Sequence, residues 1–227
     1  MNKYFSGLLI LVIISVLGAC GSDDNQSETE NNTEFGVEIT ESEKVDDDQI
    51  VAVINGEDVT GKTYNLVYSQ LKLHAGQFGE EVDIDEIKRA TMESIIDREL
   101  LMQQASEEGI EITDEIATTE FETMKAENSE TLDTLLAQYQ ITEEGFKEQL
   151  KFELTMNEYM AKTIDVSVTD EEVKEYYDEA KESNEEIPEF DEIKDQLKKQ
   201  VLQQKTNDEL QAKIDKVKEK AEIEEKI

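Results

Sequence analysis

The sequence predicts a mainly α fold, and three observations carry that prediction. Charged residues make up 35% of the 227-residue chain and it holds a single proline, a composition that favours helices over turn-rich β structure. Apolar residues recur at helical spacing through most of its length, and they are densest from Met92 to Ala105. Only two stretches read as β, Ile50 to Ile54 and Ile223 to Glu225, so a small two-strand element is expected to join the start and end of the helical module.

At the N-terminus, Lys3 precedes an apolar run, Leu8 to Leu17, that ends in Leu17-Gly18-Ala19-Cys20. The run is short for a mature membrane span and has the plan of a cleaved signal. With small residues in the two positions before cysteine and a polar stretch after it, this segment resembles the lipobox of bacterial lipoproteins. The resemblance implies cleavage after residue 19 and acyl chains, palmitate among them, on Cys20. Two or more chains would anchor the protein stably. Cys20 is the only cysteine, so the fold has no internal disulfide and must hold by packing.

Gly21 to Asp48 carries eleven acidic residues against one lysine, with apolar residues at Phe35, Val37, Ile39 and Val45 only. So little apolar surface cannot offset chain ordering, and residues 20–48 are expected to form a disordered acidic tether spanning roughly 30 Å. The folded module is then residues 49–227. Asp46, Asp47 and Asp48 lack calcium-loop spacing and read as solvated linker.

The module opens with Ile50 to Ile54, closed by the turn signal Asn55-Gly56. A helix follows through Tyr64, Val67, Tyr68, Leu71, Ala75 and Phe78 to Gly79. His74, the lone histidine, lies on it and reads as a packing or surface residue, because no cysteine or histidine accompanies it. The central helix is expected over Asp85 to Glu108, stopped at Gly109. Its apolar positions fall in three sectors of a wheel turned at about 100° per residue; a helix apolar on several sides needs several neighbours.

Ile112-Thr113-Asp114-Glu115 starts a weaker helix through Phe121 and Met124, and Leu132, Leu135, Leu136 and Tyr139 mark a short one. Thr142 opens a longer helix with Phe146, Leu150, Leu154, Met156, Met160, Ala161 and Ile164 on one broad face. Thr169 to Glu172 is a capping box, followed by Val173, Tyr176, Tyr177 and Ala180 at i, i+3, i+4 and i+7. Lys181 to Ile187 is a short connection, and a closing helix is expected over about 188–221, with Pro188 in its first turn.

In this order the pieces resemble the chaperone module of SurA- and PrsA-type extracytoplasmic foldases. The residues that carry the likeness are Ile50 to Glu57, Ile95 to Leu101 with Ala105 and Gly109 to Asp114, Val166 to Tyr177, and Phe190 to Gln204. The resemblance implies a SurA N-terminal-like helical fold. In the family a parvulin-type prolyl isomerase domain usually stands between the Tyr-Tyr helix and the closing helix. Here that interval is Lys181 to Ile187, too short for a catalytic domain, so the expectation is a chaperone without enzymatic activity.

The formal net charge of −35 repels phosphate backbones and excludes nucleic acid as a natural partner. No glycine-rich phosphate loop is present and no cofactor or metal is implied. The expected function is a membrane-anchored, extracytoplasmic holdase that binds apolar and aromatic segments of unfolded secreted polypeptides, on a Gram-positive cell by the closer likeness to the lipoprotein branch. Flexible methionine and amphipathic tyrosine suit a binder tolerant of many sequences. The candidates are Tyr68, Met102, Met124, Met156, Tyr159, Met160, Tyr176 and Tyr177, most of them expected to be core. Two rival functions are a peptidyl-prolyl isomerase-type foldase and an adaptor lipoprotein that binds one folded partner.

Overall fold

The computed structural model describes residues 39–77, 83–138, 141–184 and 186–227. The signal segment, Cys20, Phe35, Val37, Phe78, Gly79 and Tyr139 lie outside the described residues.

Two strands, β1 (Ile50–Ile54) and β2 (Glu57–Thr60), lead into helices α1 (Gly61–Gln77), α2 (Ile84–Glu107), α3 (Asp114–Gln138), α4 (Glu143–Thr163), α5 (Asp170–Ser183) and α6 (Phe190–Lys218), and β3 (Ile223–Glu225) ends the order. The fold is mainly α with one antiparallel sheet, ordered β2-β1-β3. Pairing of Val53 with Glu224 joins the two ends of the module, as expected, and β2 adds a third strand through a tight hairpin. Its turn places Asn55 at φ 53° and Gly56 at φ 89°, the left-handed pair that a two-residue hairpin requires. Asn55 also locks the far side: its N–H donates to the Glu222 carbonyl at 2.8 Å and its Oδ1 accepts from Glu222 N–H at 2.9 Å.

α2 is the hub. Met92, Ile95, Ile96 and Leu100 pack with Val51, Ile54, Val67 and Tyr68 from the sheet and α1. Leu101 and Ala105, on another side, pack with Met156 and Tyr159 of α4 and with Leu210 and Ile214 of α6. The helix ends one residue before the expected Glu108, and Gly109 at φ 75° terminates it as anticipated. α3 is two helical segments merged across Asn128, whose φ of −157° and ψ of 77° break the helix. It packs on α4 through Phe121, Leu132, Leu136, Phe146 and Leu150. α5 pairs with the first half of α6 through Val173, Tyr177 and Leu197, behind the capping box at Thr169 and Glu172. α6 begins at Phe190, so Pro188 precedes the helix instead of occupying its first turn, and α6 ends at Lys218 rather than near 221.

The end of the expected tether is a correction. Residues 39–48 are ordered against α1. Ile39 is buried in the same core as Tyr68 and Leu73, and Glu41–Glu43 forms a 3-10 turn capped by Thr40. Glu43 accepts from Lys72 Nζ at 2.5 Å and from the Tyr68 hydroxyl at 3.0 Å. Burial opposes its charge, but the Lys72, Thr40 and Tyr68 hydrogen bonds prevail and hold the carboxyl at about 2. Asn65 then exchanges hydrogen bonds with the Val45 backbone and donates to Asp47, so the aspartate run is tied to α1 although its side chains stay exposed. A Cβ on Gly61 would stand 2.0 Å from the Asp46 carbonyl oxygen, which is why glycine begins α1. Composition alone concealed this strap, because its few anchors sit among many acids.

Candidate functional site

A groove of about 570 Å³ opens where β2, α1, α2 and the start of α4 meet. Its apolar residues are Val59 from β2, Leu66 from α1, Ile95 and Met102 from α2, and Ile141 and Phe152 beside and on α4; Val59, Ile95, Ile141 and Phe152 are buried, so Leu66 and Met102 are the half-open ones. Helical periodicity explains the set. Ile95, Arg98, Glu99 and Met102 recur at i, i+3, i+4 and i+7, one face of α2 turned toward the groove.

Arg98 organises this face. Its guanidinium lies 3.9 Å from the centroid of the Phe152 ring. One terminal nitrogen donates to Gln149 Oε1 at 2.9 Å, the other to the Glu148 carbonyl at 3.1 Å. Gln149 in turn donates to buried Glu153 at 3.0 Å. Burial lowers the Arg98 pKa to about 10, against the pull of Glu148, Glu153 and Glu99, so the group stays cationic at neutral pH. Burial likewise raises the Glu153 carboxyl.

The rim is charged. Lys62 pairs with Glu144 at 3.5 Å and Glu148 at 3.6 Å, and Lys151 with Asp114 at 2.6 Å. These partly exposed pairs contribute little stability, but they tie α1 and the start of α3 to α4. Gln103 donates to the Ile54 carbonyl and to Glu99, and receives a bond from Asn55, fixing the hairpin beside α2.

A second cleft, about 560 Å³, lies between the C-terminal ends of α2, α4 and α6 and is lined by Tyr159, Thr163, Lys213 and Lys216 among others. Helix C-termini carry partial negative charge. Lysines here complement those ends, and Lys162 donates to the Glu108 carbonyl, so this cleft reads as helix capping. Among the described residues, no group of three or more histidine, cysteine, aspartate or glutamate side chains is placed to hold a metal.

The expected client-binding residues divide. Met102 lines the groove. Tyr68, Met156, Tyr159 and Tyr177 are buried, so they are corrected from contact residues to core. Tyr68 is spent on Glu43, and Tyr177 donates to the Pro188 carbonyl at 3.0 Å while meeting Phe190 edge-on. Half-buried Met124, Met160 and Tyr176 pack on three different core clusters and do not join one site. Arg98 and Phe152 were missed. The legible signal for the first was a lone cation within the apolar run Ile95 to Leu101.

Comparison with known proteins agrees with the architecture. A family model described as SurA-like N-terminal domain matches residues 2–160, more than half of the chain. The foldase protein PrsA of Caldanaerobacter subterraneus subsp. tengcongensis is 32% identical over 146 residues, 59% of this chain and 44% of that protein. The foldase protein PrsA of Clostridium acetobutylicum is 26% identical over 157 residues, 62% and 47% respectively. The chain thus spans about half the length of the curated relatives it matches.

Proposed function

This chain belongs to the family of SurA-like N-terminal domains, and we propose that it is a holdase, a chaperone that shields apolar and aromatic segments of unfolded polypeptides. The observation that carries the reading is the open groove over α2, where half-buried Leu66 and Met102 stand among polar and charged side chains. Such a lining binds by burial of apolar side chains, which tolerates many sequences, while the rim keeps the empty groove wetted and soluble. Met102 supplies an adaptable surface at its centre. The relatives' name, foldase, supports work on folding chains. Prolyl isomerisation is not part of the proposal, because α5 passes to α6 through the short segment 184–189 and the groove provides no histidine or cysteine.

In the same reading, residues 1–19 are a signal peptide, Cys20 bears the lipid, and the module works on the outer face of the cytoplasmic membrane, met by secreted clients. No helix among the described residues is long and apolar enough to cross a membrane.

The test is light scattering from several unrelated, chemically unfolded proteins diluted into buffer with or without the full chain. Suppression for most of them at near-stoichiometric amounts is the expected result. Protection of none, alongside saturable binding to one folded protein, would replace the holdase with an adaptor. For the anchor, Cys20→Ser is expected to move the protein from the membrane to the soluble fraction, and retention in the membrane would remove the lipid from the account.

A further inference from the structure

The hairpin's register determines where the backbone of β2 points. Ile54 pairs with Glu57 across the two-residue turn, and Ala52 with Val59. In an antiparallel ladder, pairs that exchange hydrogen bonds alternate with pairs that do not. The turn-flanking pair exchanges them, so Glu57 and Val59 face β1. Gly61 keeps the phase, its N–H reaching the Gln49 carbonyl at 2.7 Å. β1 turns its other set to β3, as Lys226 N–H on the Val51 carbonyl shows. The Asp58 N–H and C=O and the Thr60 N–H therefore point away from the sheet. No strand pairs with this edge among the described residues, and both residues line the groove.

The groove carries charges of both signs, and at the open edge itself the charged side chain is exposed Asp58. Lys62 and Lys151 have carboxylate partners, and Arg98 lies on Phe152 and Gln149. Asp58 is in no ion pair among the described residues, whereas Glu99 is drawn to Arg98 and bonded by Gln103. The charge on the open edge, that of Asp58, is therefore negative.

We propose that an extended segment of an unfolded polypeptide docks as a fourth strand on β2, its backbone bonded to Asp58 and Thr60. An apolar side chain beside Val59 enters the groove toward Met102, and a lysine or arginine of the segment meets Asp58. Backbone pairing gives affinity without regard to sequence, while the groove and Asp58 give preference. This inference rests on the holdase reading and identifies the conformation and charge of its client.

The probe is a ten-residue peptide of alternating valine and phenylalanine with a lysine near each end, titrated onto the full chain and followed by fluorescence anisotropy. Two further peptides carry N-methyl groups on alternate amides, one on the odd set and one on the even set. Only one set can face β2, so one is expected to lose about tenfold or more in affinity and the other to bind like the parent. Asp58→Pro removes an outward N–H without touching the β1–β2 ladder and is expected to weaken the parent peptide similarly at an unchanged melting temperature. Equal binding of all three peptides overturns strand addition. So does equal loss from both methylated forms, or failure of the parent to bind a chain that still suppresses aggregation. Loss of aggregation suppression itself would instead remove the underlying holdase reading. Should Asp58→Pro fail to fold, the methylated pair on the unaltered chain decides the matter.

Discussion

Glu43 shows how one side chain turns a polar segment into part of the fold. Its carboxylate is buried against Lys72 and Tyr68, and removing one member of a buried pair leaves the other uncompensated. Glu43→Gln is therefore expected to cost about 3–5 kcal/mol in denaturant unfolding. The pH dependence has a definite sign. The folded pKa of about 2 lies below the ordinary 4.5, so this contribution is complete above about 4.5 and disappears as pH falls from there toward 2. The stability gap between wild type and Glu43→Gln should accordingly shrink over that interval, and a constant gap would contradict the assigned ion pair. Met102 tests the groove rather than the fold. Met102→Glu puts a charge on its apolar lining, and is expected to reduce protection from aggregation severalfold while the melting temperature stays near that of the wild type. Of these two residues only Met102 was legible in the sequence, since methionine on an apolar helix is a recognisable candidate. Glu43 was one acid among eleven between Gly21 and Asp48, and its role depends on Lys72, 29 residues away, which periodicity cannot reveal.

Helices were the most legible elements because several carry their own punctuation. Thr142 caps α4 by accepting from Gly145 N–H at 3.0 Å, and Thr169 caps α5 in a reciprocal box with Glu172. The two weak helices expected around Met124 and Leu132 are the two arms of α3, and the break between them has a local cause. Asn128 leaves the helical region and its Oδ1 accepts from Thr131 N–H at 3.2 Å, acting as an internal N-cap for the second arm. Asn128→Ala is expected to lower stability by about 1 kcal/mol, read as a shift in the unfolding midpoint, whereas a stabilising effect would mean the break is imposed by packing. β2 was less legible. Glu57-Asp58-Val59-Thr60 has one strongly apolar residue and no long alternation, and its strand state comes from the hairpin turn and from Val59 packing under β1. The groove was unreadable for the same reason, since β2, α1, α2 and α4 meet only in the folded chain.

For the molecule as a whole, charge sets the conditions of stability and binding. At −35 the folded form repels itself at long range, and salt screens that repulsion over a Debye length of about 8 Å near physiological ionic strength. The melting temperature should rise as sodium chloride goes from about 10 mM to 300 mM, while affinity for lysine-bearing peptides falls. A melting temperature that fell with salt would mean that the surface ion pairs outweigh the excess of acid. The sheet has its own consequence at this scale. Val53 must find Glu224, and Lys218 must find Asp97 at 2.8 Å, so the earliest and latest parts of the module complete one another. A polypeptide synthesised from its N-terminus carries β1 half-paired until residue 224 arrives. Maturation is therefore a closing event set by the tail, and a stall anywhere within α6 would strand an unzipped intermediate that itself resembles a chaperone's client.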